Sequence, residues 1–168
     1  VWAGGDEQYK NISINGTAAN RTLDKSGAWS TGEFITTILD VLSPNTDATF
    51  RRMGDETVAG RPALLFDYSI TQAKTNLRIA APDGRQCMSA YGGRLWLDKA
   101  SNRVLKLEQK AGPMPAYCPV GLAEMVYEYA VVKIGGADVL MPVRSISTAC
   151  AREGGCTRNE LTFTNYRR

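Results

Sequence analysis

The chain has 168 residues, with 20 Lys and Arg against 17 Asp and Glu, a net charge of +3 and no His. That length fits a single domain over 1–168, able to bury about 70% of the surface its unfolded form exposes. The charge is dispersed, without the clustered basic face that meets nucleic acid, no apolar run is long enough for a membrane-spanning helix, and the absence of His removes Ser/His/Asp and Cys/His catalysis and most catalytic zinc sites.

The chain opens on "VWAGGDEQYK", without an initiating Met or a signal peptide, and reads as a mature or excised fragment of a longer protein. "NISINGTAANRT" carries Asn-x-Ser/Thr sequons at Asn11, Asn15 and Asn20. They are glycan sites in a eukaryotic secreted protein, or a polar strand end and turn in a bacterial one. "WSTGEFITTILDVLSP" holds Ser30-x-x-Glu33, a capping box whose side chains can satisfy each other's backbone donors. Phe34, Ile35, Ile38, Leu39 and Leu42 then fall on one helical face, and Ser43-Pro44 stops the run. A helix from Thr31 to Leu42 is expected, its apolar stripe laid on a sheet.

Nearly everything else alternates with period two or breaks at turns. "ALLFDYSI" places Leu64, Phe66, Tyr68 and Ile70 on one side. "RLWLDKASNRVLKLEQ" reads as a hairpin turning between Asp98 and Asn102, and "EMVYEYAVVKIGGADVLMPVRSISTAC" as another turning at Gly135-Gly136. "TRNELTFTNY" is a last strand, with Leu161 and Phe163 on one face and Thr162 and Thr164 on the other. Between the hairpins lies "QKAGPMPAYCPVGL", aperiodic and Pro-rich: a flap, or a crossover pinned by Cys118. About eight strands joined mostly by short turns make an α+β fold, mainly β, an antiparallel meander with one amphipathic helix packed across it.

The four cysteines stand at 87, 118, 150 and 156. There is no Cys-x-x-Cys knuckle and no His to complete a zinc or redox centre, which leaves covalent staples. If Cys150 faces Cys156, Val143 meets Phe163 and Ser145 meets Leu161 on one face, while Arg144, Ile146 and Thr148 meet Thr162, Glu160 and Arg158 on the other. Apolar pairs then segregate from polar ones, as a one-sided sheet requires. A second bridge, Cys87 to Cys118, would tie the Pro-rich segment to a strand, and two disulfides imply an oxidising compartment.

Acid pairs occur at Asp55-Glu56 and Glu124/Glu128, the latter reading as the wet side of a strand. "GGR" at Gly92 to Arg94 lacks the helix onto which a phosphate-binding loop opens. No cofactor, metal site or catalytic constellation is expected from these residues.

"ETVAGRPALLFDYSI", "YGGRLWLDKASNRVLKLEQ", "VYEYAVVKIGGADVLMPVRS" and "TRNELTFTNYRR", following the Gly-Glu-Phe helix, resemble bacterial periplasmic proteins of the LolA/LolB-like superfamily from about Trp29 onward. The resemblance rests on Val-x-Gly-Arg, on a Trp-x-Asp-x-x-Ser-x-x-Val-Leu-Lys hairpin, and on the terminal Arg-Asn-Glu-Leu-x-Phe-x-x-Tyr-Arg. It implies an incomplete, strongly curved antiparallel β-barrel with helical cover over its concave face. It also implies a periplasmic or extracellular setting in the cell envelope and a hydrophobic ligand. The chain departs from those carriers in presenting one helix where they have several.

Two functions follow as expectations. In the first, a lipid or acyl chain is held between sheet and helix, lined by Phe34, Ile38, Phe66, Tyr68, Trp96, Tyr127 and Tyr129, with the phenols orienting it. In the second, the domain is a scaffold that binds an envelope protein, for instance through an unpaired sheet edge.

Overall fold

The computed structural model describes residues 36–81 and 84–166, together with the pairs Trp2–Ala3, Asp6–Glu7, Ser13–Ile14 and Thr17–Ala18 in two small ladders. The sequon asparagines Asn11, Asn15 and Asn20, the Ser30/Glu33 box and Phe34 lie outside the described residues.

Helix α1 is described over Thr36–Leu42. It ends where the sequence places its stop: Ser43 is extended (φ −68°, ψ 133°), because the proline ring that follows excludes the α region. Pro44–Thr46 then make one 3-10 turn, with the Ser43 hydroxyl accepting from the Asn45 N–H at 3.2 Å.

Seven strands build the main sheet: β1 (Thr49–Val58), β2 (Arg61–Ile70), β3 (Tyr91–Asp98), β4 (Val104–Ala111), β5 (Val120–Ile134), β6 (Ala137–Ala151) and β7 (Cys156–Thr162). Every pairing is antiparallel, and the order β7-β6-β5-β4-β3-β2-β1 repeats the chain order. The sheet is an open meander with α1 against one face, so the expected fold class holds. The expected eight strands become seven in this sheet, plus a short ladder of Arg78–Ala80 with Gln86–Met88 between β2 and β3. The β5–β6 hairpin turns at Gly135-Gly136, both with positive φ (57° and 86°), as the tightest hairpin turn requires.

Cys150 is bonded to Cys156 and Cys87 to Cys118, with Cα separations of 4.0 and 5.8 Å. The β6–β7 register is the one that the first bridge dictates: Ser145 opposite Leu161, Ile146 opposite Glu160 and Arg144 opposite Thr162. Beyond the strand, the Phe163 N–H still donates to the Val143 carbonyl at 3.0 Å. The Pro-rich segment is a pinned crossover. Cys118 anchors it in a small apolar cluster with Cys87, Ala111 and Ala123. Arg152 donates to the carbonyls of Met114, Pro115 and Cys118, and Arg85 to that of Tyr117.

Two of the sequence patterns meet in one polar knot. Arg61, from Val-x-Gly-Arg, donates two bonds to the Asp98 carboxylate (3.1 and 2.7 Å), and Ser101 adds its N–H and hydroxyl at 3.0 and 2.5 Å. Asp98 and Ser101 are the Asp and Ser of Trp-x-Asp-x-x-Ser, so that spacing closes the β3–β4 turn and locks it to β2. The guanidinium first, then Ser101, pushes the Asp98 carboxyl down to about 2. Among the described residues no helix is long and apolar enough to cross a membrane.

Candidate functional site

Residues directly opposite in antiparallel strands project to the same face. Reading across the register from β1, one row runs Arg52, Phe66, Leu95, Leu107, Tyr127, Ser145, Leu161. The adjacent row on that face includes Phe50 and Tyr68, and Met125, Ser147 and Asn159 at its other end. Helix α1 packs on this face. Ile38 and Val41 join Tyr68, Ile70, Tyr91, Leu95, Leu107, Tyr127 and Tyr129 in one buried cluster, with Phe66 partly buried against it.

Of the sequence candidates, Ile38, Phe66, Tyr68, Tyr127 and Tyr129 are thus brought together. Trp96 is not. Its neighbour Leu95 faces the helix, so strand alternation sends the indole to the opposite face, into a cluster with Ala63, Leu65 and Leu105. There its N–H donates to Glu56 at 2.8 Å, and the Lys106 ammonium sits 4.5 Å above the ring. The helical stripe is corrected as well. Ile38 and Val41 face inward, whereas Leu39 and Leu42 are 59% and 48% exposed. Seven residues make about two turns, and an i, i+3 pair is what one narrow contact line accepts.

Sequence reading missed the polar tie of the helix. Asp40 accepts from the Tyr91 hydroxyl through one carboxylate oxygen and from the Asn76 amide through the other, the latter at 2.6 Å. The Tyr68 phenol reaches the Glu108 carbonyl at 3.1 Å. It lies beside Gly93, where a Cβ would stand 2.0 Å from that same carbonyl oxygen, so "GGR" serves close strand packing. Burial chiefly raises both Tyr68 and Tyr91 above the ordinary phenol value, helped at Tyr68 by the neighbouring Tyr91 and Tyr127 and at Tyr91 by its hydrogen bond to Asp40. Both stay neutral hydrogen-bond donors. The Tyr127 hydroxyl donates to the Met125 sulfur at 2.9 Å.

Ser145 and Ser147 were also missed as site residues, although the disulfide register already put Ser145 on the apolar side. They are 0% and 2% exposed, and neither hydroxyl has a hydrogen-bond partner among the described residues.

The other face is a lattice of ion pairs: Arg51–Asp67 (3.0 Å), Lys106–Glu108 (2.6 Å), Lys110–Glu124 (2.7 Å), and Arg144 with Glu128 (3.2 Å) and Glu160 (2.7 Å). A depression of about 440 Å³ lined by Asp67, Arg94, Glu108, Lys110 and Glu124 lies here. The candidate acids are accounted for in these contacts. Asp55 pairs with Lys99 and Arg52, which hold its carboxyl below the usual range, and Glu56 binds Trp96. Among the described residues no three of His, Cys, Asp or Glu converge as metal ligands.

Compared with protein-family models, curated proteins and solved structures, the chain matches none.

Proposed function

We propose that this is a non-enzymatic domain of the cell envelope, periplasmic or extracellular, that holds a lipid or acyl chain between its sheet and helix α1. The observation that carries this reading is how sparsely the described turns of α1 are held. Among its described residues Ile38 and Val41 alone are buried, and Asp40 is its polar tie to Tyr91 and Asn76. The described turns, seven residues, are too few to be stable on their own. Lifting these turns breaks few contacts among the described residues and bares an apolar surface of Phe66, Tyr68, Tyr91 and Leu95, with phenols to orient a guest. Two disulfides support an oxidising compartment. The resemblance to LolA/LolB-like carriers supports the ligand class.

A protein scaffold acting through a sheet edge is the weaker reading. Edge strand β1 carries exposed Arg51 and Arg52 and a bulge between Arg52 and Gly54, and β7 carries Arg158 and Glu160. Charges and bulges are the devices that discourage strand addition.

Organic extraction of the purified protein followed by lipid mass spectrometry is expected to recover acyl lipid. Asp40→Ala, by releasing Tyr91 and Asn76, is expected to speed uptake and release of a fluorescent long-chain acyl probe. A wild-type protein that yields no lipid and takes up no probe sinks the proposal.

A further inference from the structure

We infer that Ser145 and Ser147 form the polar end of this site and hold the head of the bound chain when that head is a neutral hydrogen-bond acceptor, an ester or amide carbonyl. The inference rests on the ligand-binding reading above and adds to it the residues and chemistry of recognition.

Ser145 stands opposite Tyr127 and Leu161, and Ser147 opposite Met125 and Asn159, so both project to the helix-covered face. Two residues apart on one strand, their side chains are about 7 Å from each other, within the span of one small head group. Both are buried, and both hydroxyls lack partners among the described residues. A buried hydroxyl without a partner costs the folded state its lost hydration, and an alanine of nearly the same shape would not. Two such hydroxyls on one strand, with Tyr127, Leu161, Met125 and Asn159 directly opposite them, are what a binding site looks like before its ligand arrives.

The charge around the pair selects the head. The nearby cations Lys110, Arg144 and Arg158 project from the opposite face, where they pair with Glu124, Glu128 and Glu160. A carboxylate or phosphate brought to the serines would be desolvated without a counter-charge among the described residues, which costs far more than burying a carbonyl. A neutral ester can meet the two hydroxyls with its two oxygens, the carbonyl oxygen on one and the alkoxy oxygen on the other, without that penalty.

The test compares a long-chain fatty acid with its own methyl ester as probes, on the wild type and on the Ser145→Ala/Ser147→Ala double variant. The wild type is expected to prefer the ester. The variant is expected to lose about tenfold in ester affinity, the order of two neutral hydrogen bonds, with the acid unchanged. Without ligand, the variant's Tm is expected to equal or exceed that of the wild type. Equal binding of both probes by both proteins overturns the inference and leaves the acyl-binding reading standing. A variant with a lowered Tm also overturns it, because the hydroxyls would then serve the fold. Failure of the wild type to bind either probe removes both proposals together.

Discussion

Tyr127 and Glu128 are neighbours in β5 and belong to different kinds of surface. Tyr127 is fully buried under the helix-covered side, among Leu107, Leu95 and Tyr129. Glu128 points the other way and pairs at 3.2 Å with Arg144, both side chains about one third exposed. The disulfides divide in the same way. Cys87 and Cys118 are buried in an apolar cluster, whereas Cys150–Cys156 lies on the charged side with Cys156 exposed. One sheet thus carries two regimes: burial of apolar area, which is large and insensitive to salt, and screened ion pairing, which is small. The larger buried cluster of the sheet lies on the side where the ligand is proposed to bind, and the smaller one around Trp96 lies on the other.

The sharpest way to break this contrast is Tyr127→Ala, expected to cost about 3–5 kcal/mol in urea denaturation, as for other buried aromatic truncations. A cost under 1 kcal/mol would mean that the helix-covered side is not the core. Next, replacing Cys87 and Cys118 by Ser is expected to cost about 3–4 kcal/mol, and the same change at Cys150 and Cys156 about 2 kcal/mol, because the second loop is much shorter. Mild reductant followed by alkylation and mass spectrometry is expected to label Cys150 and Cys156 first; the reverse order would contradict the burial difference.

Asp98 is the exception on the charged side, a buried carboxylate held low by Arg61 and Ser101. Because its folded value is depressed, its contribution is fully present above about pH 4 and is lost as pH falls toward about 2. Arg61→Ala is expected to lower Tm at neutral pH and to flatten its decline over that acid window. Parallel Tm–pH curves for the two proteins would show that the knot contributes nothing. Smallest of all, Arg144→Ala is expected to cost less than about 1 kcal/mol and to show that cost at low salt, since its partners are more than a third exposed.

Much of the fold was legible because hairpins are local. Gly135-Gly136, the Asp98–Asn102 turn and the Cys150–Cys156 bridge each involve residues close in the chain, and each carries the register of two whole strands with it. The candidate site was legible in part. Phe66, Tyr68, Tyr127 and Tyr129 share a face because period two in their own strands puts them there, but Trp96 followed Leu95 as one of two adjacent apolar residues. Alternation separates such a pair without saying which of them meets the helix. Leu39 and Leu42 misled for a related reason, since a helix rich in apolar residues offers more than one stripe and the line of contact selects among them.

By itself the chain determined its strands, its turns and the order in which they pair, since those depend on neighbours a few residues apart. The tertiary structure alone decided which face the helix covers, and that Asp40 meets Tyr91 across 51 positions and Arg61 meets Asp98 across 37. It alone buried Ser145 and Ser147 on the helix-covered face. A periodic pattern records that two faces differ; the partner that comes to lie on one of them is chosen by contacts that no short stretch of chain contains.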